Sequence, residues 1–329
     1  MTLRERVRVM AQSRDVAIVA AAVLLAIALF FPRIELPRDT FTYMVTFDIT
    51  QSMQTEDMTA AGAPVSRLAF AKATMREALT RLPCGSKIGW SIFTGQATLP
   101  LMPPIEVCRN FDALLASLEG IDGRMRWTNW SRIAEGGVYS AVRVARELGR
   151  GVEVVFFTDG QEAPPILPSN SPEVDIALPG VGGWLIGVGG DQPAPVPKID
   201  ADGNRIGFWG ASEVVQVPPS LRASPTAESH EELSALQGEY LAKVAARIGF
   251  SYRRLSSADS LARALRDVRF AHRERVPTDV RRIPAMLALI VLVGRYLASL
   301  RFRPWRPRGA IRDARPDGGV VTAADNGIP

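Results

Sequence analysis

Asp48, Thr50 and Ser52 stand at alternate positions directly after an apolar run, Tyr43 to Phe47. The run reads as a buried strand, so a carboxylate and two hydroxyls leave from its C-terminal end. In an open α/β sheet that edge is where ligands bind. A set of oxygens with one charge suits a hard cation such as Mg2+, which keeps several waters. The same spacing by itself is also met in ordinary Asx and Ser/Thr turns, so the rest of the chain must decide. Val152 to Phe157 is a second buried run, and it ends in Thr158-Asp159-Gly160. In a parallel sheet Asp48 and Asp159 would share one edge. The loop Trp127-Thr128-Asn129-Trp130-Ser131 lies between them in sequence, opens a helix and borders the same edge. Two carboxylates and three or four hydroxyls, with no His or Cys among them, form a Mg2+ or Mn2+ site by ligand type.

Elements that alternate must position these groups. Ser66 to Leu82 has helical spacing through Leu68, Met75, Leu79 and Leu82. A short helix over Asn110 to Leu118, with Asn110 as its cap, and a long one over Ile133 to Leu148 follow. Trp184 to Val188 is a further buried strand, and Glu231 to Ile248 and Asp259 to Val268 read as late helices. Strands alternating with helices predict an α/β fold, a mostly parallel sheet covered on both faces. Residues 164–179 form a Pro-rich loop. Lys198 to Trp209 reads as a hairpin turning at Asp-Gly-Asn. Its Asp200-Ala201-Asp202-Gly203-Asn204 lacks the sixth-position Gly and distal Glu of a Ca2+ loop. Gly187-Val188-Gly189-Gly190 is not a dinucleotide fingerprint.

The two cysteines, Cys84 and Cys108, cannot build a zinc cluster with only His230 and His272 in the chain. Strand-like runs Lys87 to Thr94 and Ala97 to Met102 flank Gly95-Gln96, a β-hairpin. Cys84 and Cys108 are equidistant from that turn, which places them opposite each other within disulfide reach. The bond implies an oxidising compartment; two buried free thiols are the alternative.

The 329 residues, 47% of them hydrophobic, suffice for one large domain with membrane segments. The net charge of +5 is unevenly spread: residues 1–15 carry +2, residues 281–329 carry +6, and the body is mildly acidic. This argues against a nucleic-acid surface on the body. Val16 to Phe31 is sixteen uncharged apolar residues behind an Arg-rich start, just short of a full span. The positive-inside rule then predicts a cytoplasmic N-terminus (1–15), an anchor (16–32) and an external body (33–280). A cleaved signal peptide, cut near Ala26-Ile27-Ala28, is the other reading. Ile283 to Leu300 offers a second span (283–302), interrupted by Arg295, with an amphipathic or buried helix as its alternative. The tail, 303–329, reads as basic, cytoplasmic and disordered.

From about Thr42 to Phe270 the chain resembles the von Willebrand factor A family. The resemblance is carried by DITQSM (48–53), SRLAFAK (66–72), SKIGWSIFTG (86–95), FFTDG (156–160), WLIGVG (184–189) and EYLAKVAARIGFSYRRL (239–255). It implies a Rossmann-like three-layer fold flanked by transmembrane helices, and a metal-ion-dependent adhesion site. The family pattern D-x-S-x-S maps to Asp48, Thr50 and Ser52, with Thr50 departing from Ser but keeping the hydroxyl, and the later Asp maps to Asp159. The intervening hydroxyl maps to Ser131 by the pattern around Ser131-Arg132-Ile133-Ala134, or to Thr128 by residue type. Ser52 to Asp57 with SRLAFAK resembles the membrane-anchored bacterial aerotolerance (Bat) proteins. Pro83 to Ser86, Glu106 to Cys108 and Ser131 to Ala134 resemble the accessory (MxaL-like) proteins encoded with methanol dehydrogenase, which assist Ca2+ insertion into that periplasmic enzyme.

The expected function is therefore metal-dependent protein recognition from the bacterial inner membrane, with the domain in the periplasm. The cation is Mg2+, Ca2+ or Mn2+, and an acidic residue of a protein partner, such as methanol dehydrogenase or another maturation factor, completes its shell. Trp127 and Trp130 flank the site as partner contacts, or simply pack the loop. The rivals are a membrane scaffold with a dead metal site and a metal-dependent hydrolase. No general base with a recognisable context supports the hydrolase, so a non-enzyme is expected.

Overall fold

The computed structural model describes residues 3–30, 34–166, 180–222, 224, 226, 228–278 and 280–301, without the side chains of 3–15 and 298–301. The expected disordered tail and most of the Pro-rich loop lie outside these residues. The chain divides into two compact units, Glu35–Pro277 and the pairing of Met1–Ile34 with Thr278–Pro329.

In chain order, α1 (Leu3–Phe30) leads into β1 (Ile34–Thr40) and β2 (Thr42–Asp48). A small hairpin, β3 (Met58–Ala60) and β4 (Ala63–Val65), precedes α2 (Arg67–Leu79). Then come β5 (Lys87–Phe93), β6 (Thr98–Glu106), α3 (Phe111–Glu119), α4 (Tyr139–Leu148), β7 (Glu153–Thr158) and β8 (Gly183–Gly187). The next segment holds β9 (Ala194–Pro195), β10 (Pro197–Ile199), β11 (Arg205–Phe208) and β12 (Leu233–Ser234). The chain continues through α5 (Gly238–Ile248), β13 (Ser251–Arg254), α6 (Ala258–Leu265), β14 (His272–Thr278) and α7 (Arg282–Arg301).

The central sheet has the order β13-β8-β7-β2-β5-β6. All of its pairings are parallel except β5 with β6. β2 is central and buried on both faces, which is why it reads as a continuous apolar run rather than an alternating one. Tyr43, Val45 and Phe47 pack with residues of α2, α3 and α6. Met44 packs on the other side with residues of α4 and α5. Phe47 stacks on Phe157 of the neighbouring strand with ring centroids 5.0 Å apart. The parallel register brings Asp48 opposite Phe93 and Phe47 opposite Phe157, so the carboxyl ends of β2 and β7 are level.

Several sequence expectations change at their boundaries. The helix expected from Ile133 begins as a π-helical stretch, Ile133–Val138, before α4. A Cβ on Gly136 would lie 2.4 Å from the Gln96 carbonyl, so close contact with the β5–β6 turn shapes this opening. The helix expected from Glu231 starts only at Gly238. Before it, Glu231 and Glu232 form a turn, Leu233 and Ser234 pair with β9, and the Leu236 and Gln237 amides donate to Gly190 and Asp159 carbonyls. Asn110 precedes α3 without a side-chain cap bond; its amide donates instead to the Glu106 carbonyl. The 198–209 hairpin forms as β10–β11, and Asp200 accepts the Asp202 and Asn204 amides at its turn.

Cys84 and Cys108 are joined in a disulfide, Cα–Cα 5.3 Å, at the base of the β5–β6 hairpin. The two flanking helices, α1 and α7, pack on one another. The transmembrane expectation needs correction: no helix among the described residues is long and apolar enough to cross a membrane. The described apolar stretch of α1 runs over 16–30, short of the ~20 residues a span requires, and Arg295 interrupts that of α7.

Candidate metal centre

Asp48 ends β2 and is wholly buried. Its Oδ1 accepts the Thr50 amide at 2.9 Å and the Thr50 hydroxyl at 2.7 Å. Its Oδ2 accepts the Thr158 hydroxyl at 2.6 Å. These are the bonds of a carboxylate, yet among the described residues no cationic side chain touches it. Burial, and then the nearby Asp159 charge, push the Asp48 carboxyl up to about 7, against the lowering effect of Thr158 and Thr50. Because the Thr50 hydroxyl donates its proton to Asp48, it turns its lone pairs outward. Its oxygen lies 3.3 Å from the Ser52 hydroxyl.

Thr50 and Ser52 line a cavity of about 270 Å3, together with Ser131, Glu162, Trp130 and Trp209. Ser131 is only 3% exposed, and its backbone pairs with Ala163 at 2.8 and 3.0 Å. Its hydroxyl has no hydrogen-bond partner. A buried hydroxyl left unpaired costs free energy, and a cation among these oxygens would satisfy it. The residues present therefore fit a hard divalent ion. Thr128 is placed elsewhere: its hydroxyl accepts the Trp130 amide, and it borders a neighbouring depression with Trp127 and Lys198. The two tryptophans are exposed, Trp127 by 61% and Trp130 by 57%.

Asp159 follows β7 at the same edge, but it is already engaged. Its Oδ2 accepts the Arg67 guanidinium at 2.6 Å and lies 3.3 Å from the Ser234 hydroxyl, and its Oδ1 accepts the Gln161 amide at 2.9 Å. The Arg67 side chain is completely buried. It forks onto both oxygens of Asp57 and also donates to the Ser234 hydroxyl and carbonyl. Burial works against the Asp57 charge, but Arg67 prevails and holds its carboxyl below the usual carboxylate range. Sequence reading placed Arg67 in the helix Ser66 to Leu82 and gave it no role. The available signal was its place in the first turn of α2, where a cation opposes the helix dipole.

Glu162 was also missed. Its Oε1 accepts the Tyr240 hydroxyl at 2.6 Å and the Ile133 amide at 3.0 Å. Burial pushes its carboxyl up, against those two bonds, Arg132 and the Ala134 amide. Trp209 closes another wall of the cavity; its indole donates to Gln51, and the Lys198 ammonium sits 4.9 Å from its ring centre.

No family model matches the chain. A UPF0353 protein of Mycobacterium sp. strain KMS is 28% identical over 166 residues, 47% of this chain and 45% of the relative. Its counterpart in Mycolicibacterium paratuberculosis is 25% identical over the same length. The chain thus spans under half the length of the curated relatives it matches. Among solved structures, an aerotolerance-related membrane protein from Bacteroides fragilis aligns with TM-score 0.49 and 18% identity, over 68% of this chain and 96% of that one. A von Willebrand factor type A protein from Catenulispora acidiphila aligns at TM-score 0.40 and 12% identity, over 75% and 42%. The structural neighbours thus include a von Willebrand factor type A protein and an aerotolerance-related membrane protein.

Proposed function

We propose that this chain is a recognition module of the von Willebrand A type, which holds a divalent cation at the sheet edge and captures an acidic side chain of a protein partner. One observation carries the reading: Thr50, Ser52 and Ser131 line one cavity, Thr50 bonds the buried Asp48, and the buried Ser131 hydroxyl has no hydrogen-bond partner. Mg2+, Mn2+ and Ca2+ all suit such oxygens. A bound cation with few charges around it would keep a coordination position for an incoming carboxylate. The exposed Trp130 at the rim supplies contact area of the kind found at binding hot spots. The arrangement offers recognition chemistry, not a general base, so we read the protein as a non-enzyme.

A membrane-attached setting is part of the proposal. α1 and α7 expose large apolar side chains, Leu29 and Phe30 on one and Met286 and Ile290 on the other, and neighbours are described as membrane proteins. The disulfide favours an oxidising compartment such as the periplasm. Service in methanol dehydrogenase maturation is the finer version, and its support is the likeness at residues 83–86, 106–108 and 131–134. The scaffold reading is favoured by a different observation: Arg67 already compensates Asp159 without any metal.

Titrating Mn2+ into the full chain by calorimetry, beside Asp48→Ala, tests the proposal. Saturable binding that the variant loses is the expected result. Absence of binding in the parent protein would leave the scaffold.

A further inference from the structure

Four cations belong to residues 122–131 and the β10–β11 hairpin. Three are paired: Arg124 with Asp122, Lys198 with Glu213 and Arg205 with Glu56. The fourth is not. The Arg126 side chain makes no ion pair or hydrogen bond with any described residue, and its Nη1 is buried without a partner. Burial alone acts on its pKa, pulling it down, and no carboxylate opposes that. A guanidinium stays charged in a protein, so the fold carries a partly desolvated positive charge with no counter-charge, which is costly until something pairs it. Arg126 lines a depression of about 370 Å3 between its own loop, Gln51 and the β10–β11 hairpin. Trp127, Ile206 and Trp209 form apolar walls, Lys198 is a second cation, and no Asp or Glu lines the depression. It adjoins the cavity described above, since Gln51, Asn129 and Trp209 line both.

We infer that this depression is a recess for an acidic segment of the protein partner, whose carboxylate pairs with the Arg126 guanidinium while Trp127 and Trp209 cover the adjoining side chains. The inference rests on the recognition-module reading above but not on the cation. Charge selects the occupant: the recess is a positive spot on a body that is mildly acidic overall. The arginine fork matches a planar carboxylate with two parallel N–H···O bonds. Tryptophan beside arginine is the composition of binding hot spots. Because recess and cavity share three lining residues, one extended segment can touch both.

The test is fluorescence anisotropy of a fluorescein-labelled tetraglutamate peptide with the full chain, in chelator, beside a thermal melt of each variant. The parent should bind saturably. Arg126→Met should weaken binding at least about tenfold, the size expected when a charge-assisted pair is lost. Its melting temperature should not fall, because nothing described in the fold pairs with the charge removed. Arg126→Lys keeps the charge but not the fork, and it should weaken binding by a smaller factor. Diffuse attraction to the 39 Lys and Arg residues of the chain would barely register the loss of one. Parent-like affinity in Arg126→Met therefore overturns the inference, as does the absence of saturable binding by the parent. If Arg126→Met loses its cooperative melt, Arg126→Lys decides, and unchanged affinity there overturns the inference. Chelator keeps the metal out of the measurement, so a parent protein that fails to bind Mn2+ would sink the metal reading and leave these outcomes as they stand.

Discussion

The two ends of the central sheet bury polar groups under opposite rules. At the amino end the groups around the disulfide are paired, although the Trp184 indole and His272 Nε2 have no hydrogen-bond partner. The Ser86 hydroxyl accepts the Phe41 amide, Glu106 accepts the Gly85 and Arg109 amides, and the Thr40 hydroxyl donates to the His272 carbonyl. At the carboxyl end Asp48 is buried with no cation in contact among the described residues, Ser131 keeps a hydroxyl without a hydrogen bond, and Arg67 is committed to Asp57 and Asp159. The pairing around the disulfide contributes stability, whereas at the carboxyl end the unbalanced groups gather beside one cavity, where a ligand could complete them. Unpaired buried polarity costs free energy, and it is kept here where the fold places ligands.

The largest way to break this contrast is Arg67→Met. It would leave Asp57 and the wholly buried Asp159 uncompensated, and removing one partner of a buried pair costs about 3–5 kcal/mol. Denaturant melts should show that loss, which would prove that the carboxyl end too has one finished component. Next in size is the pair Cys84→Ser/Cys108→Ser. Opening a loop of this length should cost about 3–4 kcal/mol, measured against the oxidised parent, while Mn2+ affinity stays within about threefold, a factor worth well under 1 kcal/mol.

Asp48→Asn should act in the opposite direction. A carboxyl at about 7 in the folded state, against about 3.9 unfolded, holds extra protons in the fold between those values. Stability therefore falls as pH rises from about 4 to about 7 and is lowest above it. In chelator at pH 8 the variant should be more stable than the parent, and at pH 4 the gain should vanish. Melts at both pH values check this; a variant less stable at pH 8 would mean that the Asp48 bonds outweigh its desolvation. The smallest effect is expected for Ser66→Ala. Ser66 accepts the Ala69 amide and caps α2, so its loss should cost about 1 kcal/mol by urea titration. Mn2+ affinity should not move, because Arg67 is held from its far end.

What could be read in the sequence follows from which forces are local. β2, β7 and β8 are buried on both faces and are legible as apolar runs. The β5–β6 hairpin is legible from Gly95-Gln96 and the symmetric cysteines. β13, Ser-Tyr-Arg-Arg, was missed because an edge strand lacks that apolar signal. The non-helical 231–237 segment read as helix because nothing local reveals that Ser234 is needed by Arg67, 167 residues away. At the site, Asp48, Thr50, Ser52 and Asp159 each follow a buried strand and so announced themselves. Arg67 and Glu162 take their roles from contacts with residues remote in sequence, which spacing cannot display.

Gly95 adopts φ +102°, and a Cβ there would lie 1.9 Å from the Trp130 carbonyl oxygen. Its own carbonyl accepts the Arg132 amide at 2.8 Å. The turn of one hairpin is thus the floor of the loop that displays Trp130, and that floor has no room for a side chain. A protein meeting Trp130 meets main chain that needs little further ordering, so association forfeits less conformational freedom than it would on an unsupported loop.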